Sequence, residues 1–307
     1  MLKKKAFNRI FFTTIIFFIV FSIYSLKEIN NNDKNYKKES DIKAETIYTL
    51  NKDNYISKTS IYVSKMLSLE DKIKSKLETM TKDNNKNSLL PSYFKPILPA
   101  NTKVLDVKKE DSLIKVYFSK ELLNINKEQS EKMIEAIVYT ITDDSILGIE
   151  IYAEGNMLKY VPHTTKELPT ILTKNIGINK SYEIDRNSDI KKVFMTYYTN
   201  NDNSYHEVPV TKYVNDNREK LEIIFDKLNE DFCGVNLISL LENVKLINYK
   251  IESNKIVINI NKEITEDEKK LIFESIFANY NVKKIELLVN GEKKFTKTTW
   301  NINIFIV

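Results

Sequence analysis

A chain of 307 residues has room for about two domains, and 42% of its residues are hydrophobic, enough to bury a core. The net charge of +5 is concentrated at the amino end, because Lys3, Lys4, Lys5 and Arg9 precede every acidic residue. The remainder is nearly neutral and lacks the concentrated basic face of a nucleic-acid-binding protein. We therefore expect no nucleic-acid partner.

The first element in chain order is an uncharged apolar segment from Ile10 to Leu26. As a helix it would span roughly 25 Å, the low end of what crosses a bilayer. Two interpretations compete, a cleaved signal peptide and an uncleaved anchor. The small residues of a cleavage site are poorly represented after Ser22, and no cysteine follows that could carry a lipoprotein anchor. We predict a signal anchor at residues 1–27, with a cytoplasmic amino terminus and an extracytoplasmic remainder at the cell membrane.

A polar tether follows the anchor. Residues 28–44 contain few apolar side chains and no periodicity, so they cannot bury enough surface to fold alone.

An internal repeat defines the rest of the chain. Residues 103–121 align with 245–263, residues 133–141 with 272–280, and residues 148–155 with 284–291. The offset changes only between elements, where loops tolerate deletions. The repeat predicts one module at residues 45–160, a connector at 161–192 and a second module at 193–307.

Each module begins with an extended arm that turns at residues 52–54 or 201–203, where Asp and Asn supply turn chemistry. A helix is predicted next, at residues 68–81 and 217–229, from apolar residues at helical spacing. A hairpin, a second helix and a third strand complete the module. The third strand ends at Gly155 in one copy and at Gly291 in the other.

Alternation predicts the buried face of each hairpin. The predicted inner residues are Ile114, Val116 and Phe118 in the first copy and Ile256, Ile258 and Ile260 in the second. The following helix carries a capping-box pattern in both copies. Asn126 precedes Gln129 by three residues, as Thr265 precedes Glu268.

The predicted fold class is α+β, with two tandem helix-strand-strand-helix-strand modules of ring-building type behind one amino-terminal transmembrane helix. We expect two helices on one face of a three-stranded sheet in each module. RNA-binding KH modules share this order, but they clamp RNA with a Gly-x-x-Gly loop that this sequence lacks.

The sequence contains few residue patterns that indicate catalytic chemistry. The two histidines, His163 and His206, do not correspond under the repeat, and no metal-binding helix, Cys-x-x-Cys pair or nucleophile elbow occurs. Cys233 is the only cysteine, so no disulfide within the chain can form. We predict no enzyme activity and no catalytic, cofactor-binding or metal-binding residues.

Acidic residues leave one alternative open. The carboxylates at 143–144, 230–231 and 266–268 could serve glycosidase-type chemistry, although helix ends and turns explain their positions as well. A wall-acting enzyme or peptidoglycan-binding module would cluster Asp144, Glu150 or Glu154 with Tyr152 and Tyr160 in a concave site.

Three segments resemble the GerMN domain family. They are the entry Leu98-Pro-Ala-Asn-Thr-Lys-Val-Leu-Asp-Val107, the strand exit Tyr117-Phe-Ser-Lys-Glu121 and the connector Gly177-Ile-Asn-Lys-Ser-Tyr-Glu183. Asn101 stands where family members usually have glycine, and Asn tolerates the left-handed backbone required there. The second copy keeps little of the entry motif, and many family members are lipoproteins, which this chain is not predicted to be.

The resemblance implies a non-enzymatic protein that supports assembly of a multiprotein envelope complex in sporulation, of the mother cell–forespore channel type, and so spore formation and germination. The expected partners are the membrane and other envelope or sporulation proteins, in a homo-oligomeric or hetero-oligomeric ring of head-to-tail contacts. Two alternatives remain open: a peptidoglycan-binding or wall-acting protein of growing cells, and a vegetative GerMN protein associated with lipid or with a sensor.

Overall fold

The computed structural model describes residues 41–201, 204–230 and 236–298. By its contacts the chain divides into two units. The large unit comprises residues 45–61 and the chain from residue 68 onward, and the remainder forms a small unit. Within the small unit, the described residues are 41–44 and 62–67. There, the backbone N–H of Lys65 donates to the carbonyl of Asp41 at 2.7 Å.

The first module contains two sheets and two helices. Its arm is a three-stranded sheet in the order β2-β1-β3, followed by a four-stranded sheet in the order β4-β5-β6-β7. In chain order the elements are β1 (Ile42–Asn51), β2 (Ile56–Ser64), α1 (Leu69–Thr79), β3 (Phe94–Lys95), β4 (Val104–Glu110), β5 (Leu113–Phe118), α2 (Lys127–Ile141), β6 (Gly148–Ala153) and β7 (Asn156–Met157).

The second module repeats this plan. The strand β8 (Ser181–Glu183), within the predicted connector, pairs in parallel with β10 of the second arm. The remaining elements are β9 (Ile190–Asn201), β10 (Ser204–Asn215), α3 (Lys220–Asn229), β11 (Leu246–Glu252), β12 (Lys255–Ile260), α4 (Glu266–Asn279), β13 (Lys284–Val289) and β14 (Glu292–Thr298). Within the described ranges, short 3-10 helices lie at Asn85–Leu89, Lys120–Asn124 and Lys174–Ile176.

Strand directions follow from the connections. Strands β4 and β5 form an antiparallel hairpin, whereas β5 and β6 are parallel because helix α2 carries the chain back across the sheet. Strands β12 and β13 are parallel for the same reason, with α4 as the crossover. The predicted helix-strand-strand-helix-strand order is therefore confirmed in both copies.

The predicted hairpin faces are confirmed. The six inner residues named above are all 0% exposed, as alternation along β5 and β12 requires. Helix residues at corresponding positions complete each core, including Met133 and Ile137 on α2 and Ile272 and Ile276 on α4.

The two predicted capping boxes differ in the structure. Thr265 and Glu268 form the complete reciprocal pair, with the Thr265 N–H donating to Glu268 Oε2 at 2.7 Å. Asn126 accepts from the backbone N–H of Gln129 at 2.8 Å, but Gln129 Oε1 has no hydrogen-bond partner within the described residues. The cap prediction is thus complete for the second module and half correct for the first.

The prediction of a three-stranded sheet is wrong, because the sheet of each module has a fourth strand. Gly155 and Gly291 adopt φ values of +77° and +86°, so the chain reverses there and runs back antiparallel to the third strand. The added strand has two residues in β7 and seven in β14, where the two copies have diverged in sequence. The predicted start of the first helix in the second module, at residue 217, is also too early. This helix, α3, begins at Lys220, with Glu219 as its N-cap.

The left-handed backbone expected at Asn101 is confirmed, with φ of +64°. The predicted anchor, most of the tether, and Cys233 lie outside the described residues. Among the helices that the structure does describe, none is both long and apolar enough to cross a membrane. The predicted module and connector boundaries stay predictions.

Candidate functional site

The two modules are joined by a buried asparagine of the connector. Asn179 accepts a hydrogen bond from the Ile56 N–H at 3.0 Å and donates to the Ile56 carbonyl at 2.7 Å. The same side-chain nitrogen donates to the Pro209 carbonyl at 2.8 Å. Because Ile56 lies on β2 and Pro209 on β10, one side chain ties both arms to the connector.

A second hydrogen-bonded cluster links the arms at their turns. The Tyr93 hydroxyl lies 2.9 Å from both Thr199 Oγ1 and Asp53 Oδ2, and Asn51 Nδ2 donates to Thr199 at 3.3 Å. His206 stacks on the Tyr93 ring with a centroid separation of 4.2 Å. Burial lowers the pKa of His206, which favours its neutral form. These contacts assign His206 a packing role.

An ion cluster lies beside these contacts. Lys58 Nζ of the first arm lies 3.2 Å from Glu207 of β10 and 3.8 Å from Glu274 of α4, and Lys270 also pairs with Glu207. Burial and repulsion from Glu207 raise the pKa of Glu274 above its ordinary value. Although burial alone would raise it, the pairing with Lys58 and Lys270 lowers the pKa of Glu207.

The ion cluster forms one wall of a cavity that we call the intermodule cleft. It has a volume of about 560 Å³ and is bounded by both arms, the ends of α2 and α4, and the connector. Its lining combines apolar side chains, among them Phe194 and Phe277, with the ammonium groups of Lys174, Lys192 and Lys220. This size and this mixture are those of a site for a small ligand.

The outer face of the first module's sheet carries an aromatic pair. Tyr117 and Tyr152, opposite one another on β5 and β6, stack with centroids 4.6 Å apart. The Tyr152 hydroxyl donates to Glu150 at 2.7 Å, and Lys115 lies 3.9 Å from the same carboxylate. Lys108 Nζ lies 5.3 Å from the Tyr117 ring centroid. We call these five residues the tyrosine face.

The second module keeps the glutamate of this face but not the tyrosines. Glu286 occupies the position of Glu150 and contacts Lys284 at 2.7 Å, Lys293 at 3.1 Å and Lys255 at 3.6 Å. Hydrogen bonds from Lys284 and Lys293 lower the pKa of Glu286 to about 2. Asn259 and Leu288 replace the stacked tyrosines, so the aromatic surface belongs to the first module alone.

Both modules share a bulge in the first strand of the sheet. The register shifts between Val104 and Asp106 on β4, and between Leu246 and Asn248 on β11. The extra residues are Leu105 and Ile247, which are 56% and 49% exposed. Apolar side chains at equivalent edge positions of both copies are candidates for contact with a partner.

The acidic site predicted for a wall-acting enzyme is only partly assembled. Glu150 and Tyr152 are in contact on the tyrosine face, but Asp144 lines the intermodule cleft instead. Tyr160 is exposed and bonds weakly to Glu167 at 3.5 Å, while Glu154 is an exposed turn residue with φ of +51°. The structure therefore does not gather the five residues in one concave site.

The other acidic runs have structural roles where they are described. Asp143 accepts from the backbone N–H groups of Ser145 and Ile146, which fixes the turn after α2. Glu268 completes the cap of α4, and Glu230 pairs with Lys227 at 2.8 Å. Asp231 lies outside the described residues. His163 is held by a 2.9 Å hydrogen bond between its Nε2 and the Leu123 carbonyl.

Sequence reasoning missed two sites. Tyr117 could have been found, because alternation along β5 puts it on the face opposite Phe118 and beside the predicted Tyr152. The cluster of Lys58, Glu207 and Glu274 left no local signal, since its members come from three elements far apart in the chain. Across the described ranges, no group of three or more His, Cys, Asp or Glu is arranged to hold a metal ion.

Comparison with known proteins gives consistent results. The Germane family model, described as sporulation and spore germination, matches residues 46–159. Spore germination protein GerM of Bacillus subtilis strain 168 is 28% identical over 268 residues, covering 81% of this chain and 72% of that protein.

The solved structure of the tandem GerMN domains of the B. subtilis sporulation protein GerM has a TM-score of 0.76 with this chain. The match covers 85% of this chain and 99% of that structure at 24% identity, so it demonstrates a shared fold. Residues 46–159 therefore match the Germane family model, and the chain shares the fold of the tandem GerMN domains of GerM.

Proposed function

We propose that this chain is a non-enzymatic extracytoplasmic protein, held at the membrane by its amino-terminal segment, that helps to assemble a multiprotein envelope complex during sporulation. The observation that carries the proposal is the likeness to GerM, a spore germination protein, over most of the chain. The chain's partners in this role are other envelope proteins, or further copies of itself in a ring.

The surface features suit a scaffold better than a catalyst. Each module presents an exposed apolar side chain, Leu105 or Ile247, at the same bulge of its sheet edge. Three of the carboxylates with shifted pKa values, Glu207, Glu274 and Glu286, are paired with lysines. The lysine partners lower the pKa of Glu207 and Glu286, and a carboxylate with a lowered pKa is a weak general base.

The first experiment follows a fluorescently tagged full chain in its source organism through growth and sporulation. Enrichment at the engulfing septal membrane is the expected result. A uniform envelope signal in growing cells, unchanged in sporulation, would overturn the assembly role.

A second experiment tests the bulge surfaces. The variant Leu105→Lys with Ile247→Lys should be produced at normal levels but reduce the yield of heat-resistant spores. Lys109→Glu, exposed on the same edge strand as Leu105, is the control for a change of surface charge. Spore yields equal to wild type in the double variant would remove these side chains from the assembly surface.

The tyrosine face favours a second candidate, binding to peptidoglycan. Aromatic rings with adjacent carboxylate and ammonium groups can stack on sugars and bond to peptide stems. Purified cell-wall sacculi should then pull down the wild type but not Tyr117→Ala with Tyr152→Ala. Tyr182→Ala is the control, because Tyr182 stacks on Tyr213 at 4.9 Å elsewhere on the surface. Equal sedimentation of all three proteins would exclude this candidate.

A further inference from the structure

The intermodule cleft has an excess of positive charge on one side. Its acidic residues Glu207 and Glu274 are engaged by Lys58, and Glu207 is also paired with Lys270 from outside the cleft. Asp143 and Asp144 lie at the end of α2 near Lys174. Lys192 and Lys220 therefore add positive charge that these carboxylates do not balance.

The surroundings of Lys192 illustrate this excess of positive charge. Its ammonium group donates to the Asn175 carbonyl at 2.6 Å and lies 5.0 Å from the Phe194 ring centroid. Burial, with repulsion from Lys220 and Lys180, lowers the pKa of Lys192. A lysine has three N–H donors, so Lys192 can still bond to a ligand. An anion placed there would relieve the repulsion between the two ammonium groups.

Lys174 lies on the same side of the cleft. Burial among the cleft walls lowers the pKa of its ammonium group, against the opposite effect of Asp143 and Asp144, although the residue as a whole is exposed. A group that is surrounded by protein and yet accessible is suited to contact an incoming ligand. Asn175 is the next residue in the chain after Lys174. Its carbonyl accepts the hydrogen bond from Lys192 of β9 and so fixes the position of that ammonium group.

The floor of the cleft is apolar. Phe194, Ile178 and Phe277 line it together with Pro209 and the small side chain of Ala278 on α4. Burying an apolar body against such a surface is favourable by roughly 25 cal/mol per Å². A purely polar anion such as inorganic phosphate would leave this surface without a complementary group.

We propose that the intermodule cleft binds a small amphipathic anion, with its acidic group at Lys174, Lys192 and Lys220 and its apolar body against Phe194 and Phe277. The cleft volume of about 560 Å³ lies within the range of small-molecule pockets. Both modules and the connector contribute to the site, so an occupied cleft would hold the modules together more firmly. This binding function is separate from the assembly role and does not depend on it.

The test uses the full-length chain in lipid nanodiscs, with Cys233 replaced by serine and a new thiol in the cleft, Ala278→Cys. The rate of labelling by N-ethylmaleimide is measured with increasing 1-naphthalenesulfonate, an amphipathic anion. The neutral analogue is 1-naphthalenemethanol. Asp267→Cys, exposed on the same helix α4 and outside the cleft, reports any general effect of the probe.

We expect 1-naphthalenesulfonate to slow the labelling of Ala278→Cys with a saturable dependence, and not that of Asp267→Cys. The neutral analogue should protect about tenfold less well, as the loss of one ion contact implies. Adding Lys174→Gln, Lys192→Gln and Lys220→Gln should abolish the difference between the two probes. A melting curve tests whether this variant is folded. If it is not, the comparison of the two probes on the Ala278→Cys protein still decides.

Absence of protection by the sulfonate would overturn the proposal. Equal protection by the two probes would overturn it as well, because the lysines would then contribute nothing to ligand selection. If the sulfonate slowed the labelling of both cysteines equally, the effect would be a general one of the probe, and the proposal would be overturned.

Discussion

The side chain of Asn179 pairs with the backbone of Ile56 as a neighbouring strand would, accepting from its N–H and donating to its carbonyl. Both residues are buried. The Asn179 backbone is itself held, because its N–H donates to Glu135 at 2.9 Å. The junction between the modules thus depends on one amide group with three partners.

The first prediction concerns this amide. Asn179→Gly should reduce the free energy of unfolding by about 2–3 kcal/mol, because it leaves backbone groups of Ile56 and Pro209 buried without partners. Glycine is used because it tolerates the φ of +44° at this position. Urea unfolding measures the change. Asn156→Ala, at an exposed position of β7, is the control and should change stability by less than about 0.5 kcal/mol. Equal losses in the two variants would mean that the junction contributes no more than an ordinary surface contact.

The second prediction exploits the difference between the two helix caps. Gln129→Glu should stabilise the protein by about 0.5–1 kcal/mol, because a carboxylate in the first turn of α2 can accept from the Asn126 N–H and interacts favourably with the helix dipole. The reciprocal change Glu268→Gln should weaken the cap of α4 by a similar amount. Urea midpoints of the two variants should move in opposite directions. A shift in the same direction would contradict the capping argument.

The third prediction concerns the backbone at Asn101. With φ of +64°, Asn101→Ala should cost about 1 kcal/mol, because alanine is strained in the left-handed region. Asn101→Gly should lie within a few tenths of wild type. Thermal melts of the two variants separate backbone strain from loss of the side chain. If glycine destabilises as much as alanine, the side chain and not the backbone is responsible.

The fourth prediction is a pH dependence at Glu286. Its pKa is lowered from 4.5 in the unfolded chain to about 2 in the fold by bonds from Lys284 and Lys293. The folded state therefore binds this proton less readily, and the resulting stability is present above pH 4.5 and lost as the pH falls toward 2. Glu286→Gln should flatten the dependence of stability on pH in this window. Glu292→Gln, which removes an exposed carboxylate from the adjacent strand β14, is the control.

Local patterns made much of each module predictable. Alternation identified Phe118 and Ile260 as core residues, since a strand with one buried face has period two. Thr265 and Asn126 could be identified as caps because a cap depends on residues three apart. The left-handed backbone at Asn101 was expected from the resemblance, because Asn stands where GerMN family members usually have glycine and tolerates that conformation.

Tertiary placement was not predictable by the same means. The fourth strand was missed because β7 has only two residues and β14 has diverged from it. The Lys58, Glu207 and Glu274 cluster requires the two arms and α4 to meet, which no spacing in the sequence encodes. The intermodule cleft was missed for the same reason, because its walls come from both modules.

The bulges at Leu105 and Ile247 also bear on how the protein behaves at high concentration. A bulge breaks the ladder and bends the strand, so the edge cannot extend indefinitely by adding identical strands from other molecules. Lys108 and Lys250 on the same strands add repulsion between like edges. The fold therefore resists fibril growth, and many copies can be present at high concentration while remaining native.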